Sequence, residues 1–480
     1  MNCQNQIIYI LTMTINSISF FLFFVAVFIL YYIPMLRSKG QNCVLLLASL
    51  FFYGYADLRM LLLLVLSMLV FWLLGRGISG QCSNRWKNTL MTCGVVLGVS
   101  LLLYFKYLNF FILSFAGLLS LIGMQTNYEA FNIIMPLGIS FFTFRLISYL
   151  VDLRKQEIHS VSLLDFSTYV CFFPTILSGP IDRAVTFLPQ LCIRRDFNSG
   201  LAVEGCRQIL WGMFKKMVVA DGLSLFVCRD VGASNGSTLA IVAVMYSIQI
   251  YADFSGYSDM AIGVGKLLGI RITRNFNYPY FSRSVAEFWN RWHISLLSWF
   301  RYYIYIPLGG SRCSTMKVIR NTFIIFLVSG LWHGANWTFM VWGLFHAVLF
   351  LPLLLNKNRK RHKQDTPYNF RDIVNILFVF LLITVGWIIF RCNDLTEVWL
   401  YIRTMCSPSL LDRPEGVIWA LPSVIFAVIM FSLEWSKRKI EFPLADMTVN
   451  VFWRWGIYVF LILSIVYYQG KSTDFIYFKF

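Results

Sequence analysis

Charge is scarce in this sequence: only 13% of its 480 residues are Asp, Glu, Lys or Arg, and the acidic ones number 23 against 41 basic. So little charge cannot cover a soluble surface of this size, which excludes an ordinary globular enzyme. Metal-ligand spacing is missing as well. The five histidines and eleven cysteines form neither a C-x-x-C pair nor an H-E-x-x-H helix, which argues against a zinc or dithiol centre and leaves the cysteines as small packing residues. There is no G-x-S-x-G elbow and no phosphate-binding glycine loop, so serine-hydrolase and nucleotide-hydrolysing chemistry find no support. An internal repeat is also lacking, and with it the paired broken halves that would mark a transporter.

What the sequence does hold is apolar: 58% of its residues are hydrophobic, and 18% of the whole chain is Phe, Trp or Tyr. Runs of about 18 to 25 apolar residues recur, the length that crosses roughly 30 Å of hydrocarbon at 1.5 Å per residue. Backbone groups in lipid must bond within their own segment, so an all-α, polytopic membrane bundle is expected. The apolar segments are read at 16–35, 42–56, 60–75, 89–105, 108–123, 132–151, 164–179, 237–253, 321–356, 373–391, 396–406, 416–433 and 451–468. That predicts about ten to twelve spans in one bundle, with 132–356 as its catalytic core region. Between 180 and 230 basic and apolar residues interleave (Arg207, Trp211, Phe214, Lys215, Lys216), the pattern of an interfacial or partly buried helix or of a cytoplasmic loop. The first residues carry no basic n-region and no A-x-A site, so the first apolar run should act as an uncleaved anchor.

The net charge of +18 would suggest a polyanion partner in a soluble protein. Here the basic residues crowd the short polar connections, as at Arg37 and Lys39, Arg154 and Lys155, Arg194 and Arg195, and Lys437 to Lys439. The positive-inside rule accounts for that distribution, and no nucleic-acid partner is expected.

An ionisable group inside the membrane is costly, so the histidines define the search for chemistry. His159 and His362 sit in polar loops. His293 lies in EFWNRWHISLLSWF beside Glu287 and Arg291, where a structural polar network and a catalytic role are both open. His333, in SGLWHGANW, and His346 stand inside the apolar stretch 321–356. Basic loops flank that stretch on both sides, so the chain should enter and leave on one side, with His333 about 18 Å in and His346 about half way back. A neutral imidazole in an apolar cavity suits a general base that takes the proton of an attacking alcohol. A core histidine bonded to a carbonyl is the plainer alternative. Asp253 and Asp259, in YADFSGYSDMAIG, are as well suited to pairing with Arg or Lys.

Several of these strings together resemble one family. NFNYPYFSRSVAEFWNRWHISLLSWFRYYIYIPLGGSR at 275–312, WHGANWTFMVWGLFHA at 332–347, MPLGISFFTFRLISYLVDL at 135–153, FFPTILSGPIDR at 172–183 and NSISFFLFF at 16–24 look like the membrane-bound O-acyltransferases, in the bacterial branch of alginate and peptidoglycan O-acetyltransferases and teichoic-acid D-alanyl transfer proteins. The resemblance implies helices around a transmembrane funnel with His333 as the catalytic histidine and His293 as a second one. His346, Trp332, Asn290, Arg291 and Asp253 are candidate supporting residues. It also implies an acetyl-CoA or acyl-carrier-protein thioester as co-substrate, with no tightly bound cofactor and no metal. The implied partners are membrane lipid, a polysaccharide acceptor and an exported SGNH-hydrolase-like protein, and the location a bacterial inner membrane. Met13 is a candidate initiator, with residues 1–12 outside the functional chain. Arg145 and Tyr302 stand where many relatives carry Gln and Asp. GPIDR at 179–183 leans to D-alanyl transfer and YIPLGG at 305–310 to O-acetylation, so acetyl transfer is the first expectation, D-alanyl transfer the second, and transport without chemistry the third.

Overall fold

The computed structural model describes residues 13–124, 130–228, 231–232, 234–355 and 368–470; His362, the basic run 357–363 and residues 1–12 lie outside them. Among the described residues the secondary structure is helical throughout, with no β-strand. Eight helices among the described residues are long and apolar enough to cross a membrane. The ten to twelve spans expected from the sequence include segments that turn out shorter or joined, and each difference has a local cause.

Internal contacts divide the chain into two compact units, one of residues 1–205 with 261–273, the other of 206–260 with 274–480. In the first unit, α1 (Ile18–Tyr31), α2 (Ser38–Gly54) and α3 (Leu58–Ser79) follow the apolar segments read from the sequence. The segments read as 89–105 and 108–123 are one continuous stretch: α4 (Asn84–Leu102) runs through a π turn, Leu103–Tyr107, into α5 (Leu108–Leu121). Lys106 lies within the π turn. The segment read as 132–151 begins only at α6 (Ile139–Arg154), behind Pro136 and a left-handed Gly138 at φ +67°. A Cβ on Gly138 would also stand 2.3 Å from the Ile176 carbonyl oxygen, so glycine is required there on two counts.

The segment read as a span at 164–179 is a nine-residue helix, α7 (Leu163–Cys171), and then a turn. Pro174 and Pro180, which cannot donate to a helical ladder, explain the stop. The turn is organised by Arg145, which is buried in α6 and donates to the carbonyls of Tyr169 and Val170 at 3.1 Å each and to Thr175 Oγ1 at 2.5 Å. The GPIDR string is likewise engaged in packing. Asp182 accepts from the Thr273 backbone N–H at 2.9 Å, and Arg183 pairs with Glu157 at 2.8 Å and Asp152 at 3.4 Å. The unit also holds α8 (Ala184–Cys192).

In the second unit the interleaved basic stretch follows the partly buried helix read from the sequence, and it is not a loop. Following α9 (Ser199–Met213), a π turn Phe214–Ala220 leads into α10 (Asp221–Val227), and Trp211, Phe214, Lys215 and Lys216 are all buried. The lysines can be internal because each meets a carboxylate: Lys215 pairs with Asp259 at 2.5 Å, and Lys216 with Asp221 at 2.7 Å and Asp253 at 2.9 Å. Next come α11 (Gly236–Leu267), whose residues up to 260 belong to this unit, the short helices α12 (Val285–Arg291) and α13 (Ile294–Phe300), then α14 (Thr315–His333) and α15 (Trp337–Leu355). The unit closes with α16 (Phe370–Arg391), α17 (Leu395–Met405), α18 (Leu421–Ser436) and α19 (Val451–Tyr468). The segment read at 396–406 is α17, whose 11 residues rise only about 16 Å and cannot span.

The expected hairpin over 321–356 is present as α14 and α15, joined at Gly334–Asn336. Its first arm starts earlier, at Thr315, because Lys317 and Arg320 belong to the helix. His333 therefore lies about 27 Å along the arm, close to a full bilayer thickness and well beyond the 18 Å expected. The arms touch backbone to backbone: a Cβ on Gly330 would stand 2.2 Å from the Phe339 oxygen, and one on Gly343 2.4 Å from the Phe326 oxygen. Small residues that let helices close in this way drive packing where lipid removes the hydrophobic incentive.

Candidate active site

Among the described residues of the second unit there are three histidines, and all three are buried: His293 at 1% exposure, His333 at 5% and His346 at 0%. His159 is exposed. The three buried rings are linked through tryptophans. Trp332 contacts both His333, centroids 5.0 Å apart, and His293 at 5.7 Å. Trp342 in turn lies 5.1 Å from His333 and 4.8 Å from His346. Phe254 closes against His293 at 4.7 Å and Phe390 against His333 at 5.2 Å.

Each histidine is placed by a distinct local device. Helix α14 ends at His333, where Gly334 becomes extended at φ −170°. Asn336 then starts α15 by accepting from the Thr338 N–H at 3.1 Å and donating to the Asn393 carbonyl at 2.6 Å. Ahead of His293, Ser284 caps α12 by accepting from the Glu287 N–H at 3.2 Å, while Glu287 accepts from the N–H of Arg283, the residue before the cap, at 2.8 Å. Glu287 also pairs with Arg291 at 2.6 Å, so Arg291 stiffens α12.

His293 has a left-handed backbone, φ +45° and ψ 52°, at the break between α12 and α13. Non-glycine residues seldom adopt that region, and such strain persists only where neighbours enforce it. Asn275 enforces it. Its carbonyl accepts from the Ile294 N–H at 2.9 Å, its Oδ1 accepts from Ser295 Oγ at 2.6 Å, and its Nδ2 donates to Ser258 Oγ at 3.2 Å. Sequence reasoning missed Asn275, because an asparagine near a proline reads as turn chemistry and its partners lie about 20 residues away on either side. Replacing Asn275 with Ala should lower the melting temperature and the activity together, at about 1–3 kcal/mol for the orphaned buried groups. Thermal denaturation of the purified protein in detergent checks it; an unshifted melt would mean that another group holds the turn.

Of the predicted supporting residues, Trp332 contacts both histidines and His346 joins them through Trp342. Asn290 is exposed on α12. Asp253, at 2% exposure, belongs to the ion cluster with Lys216. His293 lies outside the eight candidate spans, and burial pushes its imidazole down to about 3, which keeps it neutral at physiological pH. Among the described residues no group of three or more His, Cys, Asp or Glu could hold a metal ion.

Long apolar helices around three buried histidines lined by aromatic rings define a multi-pass membrane protein with an internal imidazole cluster. The chain belongs to the MBOAT, membrane-bound O-acyltransferase family, whose pattern it matches over residues 47–392, and it is an acyltransferase. It is 37% identical to the protein named Probable alginate O-acetylase of Azotobacter vinelandii over 404 residues, 82% of this chain and 78% of that one. To the Peptidoglycan O-acetyltransferase of Helicobacter pylori it is 34% identical, covering 75% and 73%. To the Teichoic acid D-alanyltransferase of Bacillus subtilis it is 30% identical, covering 65% and 81%.

Proposed function

We propose that this protein takes an acetyl group from a cytoplasmic thioester, acetyl-CoA or an acyl carrier protein, and delivers it across a bacterial inner membrane for O-acetylation of an extracytoplasmic polysaccharide. The observation that carries the reading is the contact of both His293 and His333 with Trp332 within an aromatic lining. In that setting a hydroxyl can be deprotonated as it attacks, while the thioester is shielded from hydrolysis. His333 takes the hydroxyl proton as the new C–O bond forms; the C–S bond breaks and the thiolate leaves with that proton. His293 is the second catalytic histidine, positioned by Asn275.

Acetyl is favoured over D-alanyl because similarity to proteins named as O-acetylating is higher and longer, 37% over 82% of the chain against 30% over 65%. The second reading, D-alanyl transfer to a teichoic-acid-like polymer, keeps the support of that shorter match. An exported SGNH-hydrolase-like partner would make the last transfer to the polymer.

The test is mild-base release of esters from the surface glycans of cells with and without the chain. Acetate that depends on the chain supports the first reading, D-alanine the second, and neither would overturn both.

A further inference from the structure

Helix α15 presents Thr338, Trp342 and His346 at intervals of four residues, hence on one face, and all three are fully buried. The polar atoms of this stripe lack hydrogen-bond partners: Thr338 Oγ1, Trp342 Nε1 and both ring nitrogens of His346. Trp289 adds a further unpartnered indole N–H from α12. Its ring lies 4.9 Å from His346 and 5.7 Å from Trp342. Buried donors in a native protein are almost always paired, because an orphan loses its bonds to water and gains nothing in return. In a membrane-embedded unit the loss is not relieved by nearby solvent. Trp289, Trp342 and His346, in mutual ring contact, carry that cost together, with Thr338 one turn along from Trp342, and they point to a polar guest.

The chemistry of the set narrows the guest. Two indoles can only donate, the hydroxyl donates readily, and a neutral imidazole supplies one donor and one acceptor. The cluster therefore suits an oxygen that accepts, and it carries no formal charge. It also adjoins the base assigned above, with Trp342 in ring contact with His333 at 5.1 Å.

We infer that Trp342, with Trp289 and His346, forms the donor site for the acyl carbonyl oxygen, an inference that rests on the acyl-transfer reading with His333 as base. When the acceptor hydroxyl adds to the thioester carbon, the C=O electron pair moves onto oxygen. The indole N–H groups hold that oxyanion until the C–S bond breaks and the carbonyl re-forms. Preset donors of this kind act where charge develops and need no reorganisation. Trp342 touches the reacting group directly, whereas His346, packed against both indoles, orients them.

The experiment uses the full chain in cells, with Trp342→Phe, Trp342→His and His333→Ala at matched membrane abundance. It follows the initial rate at which base-labile acyl ester appears on surface glycan after induction. Trp342→Phe keeps an aromatic ring and removes the donor, and should slow the rate by about 10²–10³-fold at an unchanged melting temperature. Trp342→His restores a ring N–H and should recover part of that rate. A wild-type rate in Trp342→Phe, equal slowing in both Trp342 variants, or slowing matched by loss of thermal stability would overturn the donor site. The His333→Ala arm reads the parent assignment separately, because ester persisting there removes the base while the Trp342 comparison still reports on the donor.

Discussion

Replacing His333 with Ala should reduce surface ester formation by about 10²–10⁴-fold, the range a positioned general base supplies. The side chain is 5% exposed at the last residue of α14, enclosed by Trp332, Trp342 and Phe390. Alanine leaves a gap among those rings, so a fall in activity could reflect packing. His333→Gln fills most of the volume, retains hydrogen-bonding groups and has no basic nitrogen. Both variants should be inactive at wild-type membrane abundance if the imidazole acts as a base. Full activity in His333→Gln would reject that role. The expected loss is in turnover more than in donor affinity, since a base acts on the proton in flight and not on the bound thioester.

The hairpin bearing His333 and His346 was legible because two basic loops bracket one apolar stretch, a pattern set by topology rules more than by packing. Its depth was misjudged for a related reason. Lys317 and Arg320 read as loop because they are charged, yet helix α14 absorbs them in its first two turns. Periodicity also could not separate a true span from a short buried helix, as at α7, where Pro174 ends the helix after nine residues of an apolar run. The two catalytic candidates were found by type and scarcity, five histidines in 480 residues. The groups that position and complement them escaped notice. Asn275 acts through partners on α11 and α13, and Trp342 is one of fifteen tryptophans in a chain where aromatics are common. Only the fold distinguishes them, by showing which buried atoms are paired. Asp253 illustrates the reverse. Its carboxylate looked chemical in sequence, and the alternative of an ion pair across the bundle is what the structure displays.

That ion pair leads to a large expected effect on stability. Lys216 is the shared cation of Asp221 and Asp253, at 2.7 and 2.9 Å, with all three side chains at 5% exposure or less. Lys216→Met preserves the length and apolar stem and deletes the charge. Two buried carboxylates would then face each other with their common counterion gone, a change worth about 3–5 kcal/mol against folding. The protein should accumulate poorly in the membrane, and the remainder should melt well below wild type. Adding Asp253→Asn to Lys216→Met removes one of the stranded charges, so the double variant should melt above the single one. Asp253→Asn alone leaves Lys216 paired with Asp221, and its ester formation per folded molecule should stay near wild type, as befits a residue whose partner is structural. If Lys216→Met melts like wild type, water reaches this cluster and the charges are not buried as a closed set. If Asp253→Asn loses activity at full abundance and stability, the carboxylate acts in the chemistry, and the active site extends from the histidines to the π turn at Phe214–Ala220.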